Sequence, residues 1–182
     1  MKRLLTITGI NLTVATGLLA AIGDIRRFKS PQKLVSYFGL NPRVRQSGLG
    51  AAHHCRISKV GRSHARAMLV EAAWAAAKAP GPLHAFFVRI RAKRGLQIAA
   101  VALARKLTVL CWHLLTKEKD YLWARPALVA NKMRAMELQA GLPQRKGSRR
   151  GTTYAYNVKE LRDQERQLAE RAERSWTPAL TL

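Results

Sequence analysis

Apolar positions recur every three or four residues along most of this chain, and glycine and proline cut that rhythm into segments. Residues 4–23 read as a short helix, a turn at Thr8-Gly9-Ile10-Asn11, and a second helix from about Leu12 to Ile22. Gly9 supplies the free backbone that such a turn needs, and Asn11 tolerates a left-handed conformation better than most residues. Ser30-Pro31 is a helix start, with Ser30 as N-cap and Pro31 at the first helical position. That helix runs to about Phe38 and stops at Gly39. Residues 40–62 contain Pro42, Gly48, Gly50 and Gly61, with weak alternation over His54–Ser58, which predicts a loop with a small hairpin.

Helical periodicity then resumes. Ser63 is expected to cap an alanine-rich helix through Ala79, which Pro80-Gly81-Pro82 ends. A helix from about Leu83 to Arg94 stops at Gly95. The next, Leu96 to Leu115, is apolar almost all round except at Arg105 and Lys106, so it is expected at the centre of the core. A further helix spans about Ala127–Ala140 before Gly141. Residues 143–153 read as a flexible basic linker. Residues 157–175 form a charged helix with Val158, Leu161, Leu168 and Ala172 on one stripe, interrupted by Glu165. The expected fold is mostly α: a helix-hairpin-helix element, then a helical bundle, with a loop or small β-hairpin around a Ser-Gly motif. The expected divisions are a domain over 1–125 with the hairpin at 4–23, an additional helix in 126–142, a basic linker at 143–156 and a charged helical tail at 157–182. The stripe on that tail suggests a partner helix, as in a homo-oligomer.

Charge changes the picture. The chain of 182 residues carries 33 Lys and Arg against 10 Asp and Glu, a formal charge of +23. Between Asp24 and Glu118 the only acid is Glu71, so the excess belongs to the folded part rather than to a basic tail. A polyanion is the expected partner, because neutralising phosphates releases counterions. Arg26, Arg27, Lys29, Lys33, Arg43, Arg45, Arg56, Lys59, Arg62 and Arg66 form the basic segment, with no interleaved acids to balance its field. Cys55 and Cys111 form no CxxC pair, which fits a reducing compartment. The apolar start follows Lys2 and Arg3, but five threonine and asparagine residues interrupt it and no small-residue cleavage site follows. No run reads as long and apolar enough to span a bilayer. The expected location is cytoplasmic, with the nucleoid.

Three groups of residues suggest chemistry. A glycine turn between two short helices aims backbone N–H groups at phosphate, which makes Gly9 and Asn11 candidate DNA contacts; the alternative is an ordinary helical corner packed in the core. Ser47-Gly48 lies among Arg43, Arg45 and Arg56. A serine hydroxyl attacks a phosphodiester if its proton is removed and the developing charge is stabilised, and guanidinium forks match phosphate oxygens. The alternative is a plain turn serine. His53, His54, Cys55 and His64 do not have zinc-site spacing, and the carboxylates Asp24, Glu71, Glu118 and Asp120 are scattered, so no metal is expected on this chain.

Leu4–Phe28, Ser30–Gly48 and Arg56–Trp74, in that order and spacing, together with Ala102–Trp112, resemble the C-terminal domain of the insertion-sequence one-ten family of transposases, the RNA-guided serine recombinases. The resemblance covers roughly residues 4–123. It implies a catalytic serine at Ser47 that forms a phosphoserine link to DNA, and a bridge RNA that pairs with target and donor DNA. It also implies an N-terminal RuvC-like domain with four acidic residues, which would bring the divalent metal and complete a composite site. That acidic domain is not found in residues 1–182, so the expectation is a fragment, a decayed copy or a split-frame product, inactive without it. The resemblance thus implies a DNA-binding recombinase domain; the rival is a non-enzymatic helical nucleic-acid-binding protein. A tyrosine recombinase is weaker, because Tyr37, Tyr121, Tyr154 and Tyr156 lack the arginine–histidine–arginine context.

Overall fold

The rhythm of small and large apolar residues produces a helical bundle with one short hairpin of strands, in the computed structural model, which describes residues 1–142 and 159–176. The elements are α1 (Lys2–Leu5), α2 (Leu12–Ile22), a 3-10 turn (Ile25–Arg27), α3 (Pro31–Tyr37), β1 (Pro42–Arg45), β2 (His53–Ile57), α4 (Ser63–Lys78), α5 (Pro82–Arg94), α6 (Leu96–Lys117), α7 (Pro126–Gln139) and α8 (Lys159–Trp176). The mostly helical expectation holds, with the small antiparallel pair β1–β2 around the Ser-Gly motif. The expected linker, Val158 and the side chain of Leu161 lie outside the described residues.

Helix α6 runs through the centre. Ala99, Ala100, Leu103, Ala104, Leu107, Cys111 and Leu114 are buried at three- and four-residue spacing, and α3, α4 and α5 pack around it. Each fully buried leucine contributes about 1.5–3 kcal/mol. The desolvated Cys111 thiol is pushed up to about 12, so it is an inert packing group. This helix corrects one sequence reading: Leu96–Lys117 is long and apolar enough to cross a membrane by length and composition. Here one face of that apolar surface is covered by neighbouring helices while Leu96 and Ile98 stay exposed, and the half-buried Lys106 sits beside Phe86 on α5.

Helix α4 presents a face of alanines, with Ala65, Ala72, Ala73, Ala76 and Ala77 buried. Small side chains let other backbones approach closely. The turn after α1 uses this. Gly9 has φ +92°, and a Cβ there would lie 2.4 Å from the Ala72 carbonyl oxygen and 2.8 Å from Ala76 Cβ. Two local readings are corrected. Asn11 is not left-handed: it has φ −92° and ψ −178°, and its side-chain oxygen accepts from the Val14 N–H at 2.9 Å, so it caps α2. Ser63 is the first residue of α4 and not its cap; Arg62 holds that position, without a side-chain cap bond. Ser30 precedes Pro31 as expected but also makes no side-chain cap bond.

Long-range polar contacts fasten the N-terminal hairpin. The Tyr121 N–H donates to Thr6 Oγ1 at 3.0 Å, and Lys132 on α7 donates to the carbonyls of Leu5 and Ile7, both at 2.9 Å. Burial pushes the Lys132 ammonium down to about 8. Since this group's folded value is below its unfolded one, the unfolded chain binds more protons between about pH 8 and 10.5, and stability rises with pH across that window. Lys132→Met leaves two carbonyls without their donor. We expect it to cost about 1–3 kcal/mol near neutral pH, and the rise in stability between about pH 8 and 10.5 to be present in the wild type and absent from the variant when the two are compared by urea unfolding.

Glu165, which breaks the apolar stripe of α8, has a tertiary use. Its carboxylate accepts from the Ala127 N–H at 2.8 Å and pairs with Arg125 at 3.2 Å. It satisfies one of the free N–H groups at the start of α7. Ala172 is buried, and Glu173 lies 3.8 Å from His84 and accepts from the Gly81 N–H, so α8 packs against α5.

Candidate nucleic-acid interface

The hairpin β1–β2 projects as an arm, and backbone bonds fix its base. The Ser58 N–H donates to Asn41 O, Lys59 N–H to Gly39 O and Arg62 N–H to Tyr37 O. Gly61 lies so close to the Tyr37 carbonyl that a Cβ there would be 2.2 Å from its oxygen, so only glycine allows this latch. Lys59 is itself left-handed, with φ 57°. Pairing of Pro42 with Ile57 and of Val44 with His54 requires a register shift between them, a bulge of the kind that bends and twists a strand pair.

The sequence-predicted residues divide into three sets. Arg43, Arg45, Ser47, Gly48 and Arg56 are all exposed on the arm. Arg43 donates to Ser58 O at 3.1 Å, whereas Arg45 and Arg56 have no partner among the described residues. Gly48 has φ 57° in a turn closed by the Gly50 N–H on Ser47 O. The Ser47 hydroxyl has no hydrogen-bond partner among the described residues. Lys59, Arg62 and Arg66 lie at the arm's base, where two of them have structural duties. Arg62 donates to Tyr37 Oη at 2.7 Å and Arg66 to Phe38 O at 3.0 Å. Arg27 stacks 4.7 Å above the Tyr37 ring. The Arg62 bond, with help from Arg27, draws the Tyr37 phenol below its usual value against the opposing effect of burial.

Gly9 and Asn11 form the third set, away from the arm. Tyr37 Oη donates to Ala21 O at the C-terminal end of α2, while Asn11 caps its N-terminal end. Eleven residues of helix separate those ends by about 16 Å. Gly9 is explained by close packing on α4. Asn11 and Thr13 are exposed, at the N-terminal turn of α2.

One basic group was not singled out in the sequence. Arg89, Arg91, Lys93 and Arg94 on α5 are all exposed and concentrate at its C-terminal turn. Their clustering in Arg-Ile-Arg-Ala-Lys-Arg was the available signal. Among the described residues no three His, Cys, Asp or Glu side chains gather, so the residues present do not fit a divalent-metal site.

Residues 1–88 match the family model described as Transposase IS116/IS110/IS902 family. The chain is 30% identical over 125 residues to a probable family 20 transposase of Pseudomonas aeruginosa, covering 66% of this chain and 37% of that protein. It is 30% identical over 129 residues to the transposase for insertion sequence element IS1111A of Coxiella burnetii, 66% of this chain and 34% of the relative. Against the pilin gene-inverting protein of Moraxella bovis it is 30% identical over 120 residues, 65% and 37% respectively. The matched stretch thus spans little more than a third of these relatives. Residues 1–88, which hold the N-terminal hairpin, the basic arm and the α4 face behind them, are thus similar to the transposases of the IS116/IS110/IS902 family.

Proposed function

We propose that this chain is the DNA-binding and strand-transfer domain of an insertion-sequence transposase, with Ser47 as the nucleophile. The observation that carries the reading is the arm itself: exposed Arg45 and Arg56, without partners among the described residues, flank an exposed Ser-Gly turn, on a chain whose long central segment has a single acid. Arginines left unpaired in this way are available for phosphate oxygens. In the proposed step Ser47 Oγ forms a bond to phosphorus as one phosphodiester P–O bond breaks. The hydroxyl proton passes to a base, and the departing sugar oxygen takes up a proton. Rejoining runs the same exchange backwards, so no external energy source is needed.

No base is hydrogen-bonded to the Ser47 hydroxyl among the described residues. The reading therefore includes a complementary acidic domain that supplies it, together with a divalent metal, and a guide RNA that selects the DNA. Self-association through the exposed Leu168 of α8 belongs to the same proposal. The names of the relatives, a transposase for an insertion element and a gene-inverting protein, support action on DNA.

Duplex binding measured against salt tests the interface. The log–log slope is expected to be about −0.9 per phosphate neutralised, and joint replacement of Arg43, Arg45 and Arg56 by glutamine to flatten it by about two to three. A slope near zero for the unmodified chain would remove nucleic acid as the partner.

A further inference from the structure

A second feature lies away from the arm, between α5, α6 and the segment that follows α6. It is a cleft of about 330 Å³ with a mainly apolar surface, at the lower end of the size range of small-ligand sites. Leu83, Leu110 and Leu114 contribute its apolar surface, and Phe86 lines one side. Trp123 and the strongly exposed Leu122 line the other. Trp123 is more than a third exposed, with neither a ring contact nor a hydrogen bond among the described residues. A tryptophan so placed is unusual, because its large apolar body and N–H group ordinarily find partners.

The charges around the cleft point to the class of ligand. Lys106, Lys117 and Lys119 line it, against the single acid Asp120. His113 also lines it, and its Nδ1 is buried without a hydrogen-bond partner. Burial first, then the charges of Lys117 and Lys106, hold this imidazole below its ordinary value, so it is neutral near pH 7 and one ring nitrogen remains an acceptor.

We propose that this cleft receives an unstacked base of single-stranded nucleic acid, with the flanking phosphates on the lysines. The assignment rests on the reading of the chain as a nucleic-acid-binding domain. Four features favour that occupant: an indole without a ring partner for stacking, apolar side chains for the base, an imidazole nitrogen without a partner, and lysines along the lining for phosphates. Proteins that hold single strands combine aromatic platforms with basic grooves in this way. A base inside a duplex is already stacked and paired, so the cleft discriminates against double-stranded DNA.

Photocrosslinking of the full chain tests the proposal, with a short single-stranded oligonucleotide carrying one 5-bromodeoxyuridine, alongside the same base in a duplex. The crosslink is expected in the peptide containing Trp123 for the single strand and not for the duplex. Trp123→Ala should remove that crosslink and weaken single-strand binding about tenfold, the order of one base stack, while duplex affinity and the melting temperature hold. Trp123→Phe should retain part of both signals, because an aromatic face remains. Normal duplex binding with no crosslink in this peptide, or with one undiminished in Trp123→Ala, overturns this site alone. So does a cleft that binds an acidic apolar peptide while single strands fail to compete. Failure of the unmodified chain to bind any nucleic acid overturns the proposed function, and this site with it.

Discussion

Ser47→Ala is expected to abolish a covalent protein–DNA adduct while leaving duplex affinity nearly intact. The assay supplies a matching acidic domain, divalent metal and guide RNA in trans, and detects the adduct by denaturing electrophoresis. The asymmetry follows from what the substitution removes. The hydroxyl is the only atom able to form the bond to phosphorus, so its loss leaves no residual route through that residue. Binding loses at most one neutral hydrogen bond, about 1 kcal/mol, because the guanidinium groups of Arg43, Arg45 and Arg56 remain. Ser47 lies in an exposed turn with no side-chain partner among the described residues, so folding is unaffected. Ser47→Cys should keep a trace of adduct, since a thiolate is also a nucleophile. A full-strength adduct from Ser47→Ala would move the assignment to Ser58 or Ser63. No adduct from the unmodified chain, with salt-dependent binding preserved, would favour the non-enzymatic nucleic-acid-binding reading.

The second large effect is on stability. Gly9→Val is expected to cost about 3–5 kcal/mol, a large share of the roughly 5–15 kcal/mol that holds a domain together. Two penalties add. A Cβ at φ +92° costs about 1–2 kcal/mol, and more for a branched side chain. Steric overlap comes on top, because the nearest atom is the Ala72 carbonyl oxygen at 2.4 Å, in the middle of α4, and moving it disturbs the packing of α4 on α6. Gly48→Val is the control. Gly48 also has positive φ, but a Cβ there meets nothing within 4 Å, so the loss is about 1–2 kcal/mol of backbone strain. Urea unfolding followed by far-UV circular dichroism compares the two variants. Equal midpoints for Gly9→Val and Gly48→Val would show that the turn does not rest against α4 as described.

Much of this molecule was legible because its signals are local. The breaks at Gly39, Pro80-Gly81-Pro82, Gly95 and Gly141 act through the φ angles and missing donors of those residues themselves. The buried face of α6 repeats at helical spacing, which is visible before any partner is known. The hairpin around Ser47 was foreshadowed by glycines and weak alternation, and the basic character of the arm by the absence of acids. The roles of Asn11 and Ser63 were misread because the same residue types serve turns and caps alike; only the backbone path decides between them.

The remaining decisions belong to residues far apart in the chain. Nothing near Gly9 shows that Ala72 and Ala76 will lie against it. Glu165 looks like a flaw in an apolar stripe until the start of α7 and Arg125 are brought to it across some forty residues. Lys132 reads as one cation among many, yet it reaches the carbonyls of Leu5 and Ile7. Leu96–Lys117 has the composition of a membrane span, and whether its apolar surface meets lipid or protein depends on the other helices, not on its own residues. The sequence alone determined where the chain turns, which faces are apolar and that its charge is strongly positive, because dihedral preference, periodicity and net charge are properties of single residues and near neighbours. The tertiary structure decided which polar groups are spent on the fold and which remain free, because a hydrogen bond forms only between groups that packing brings within about 3 Å.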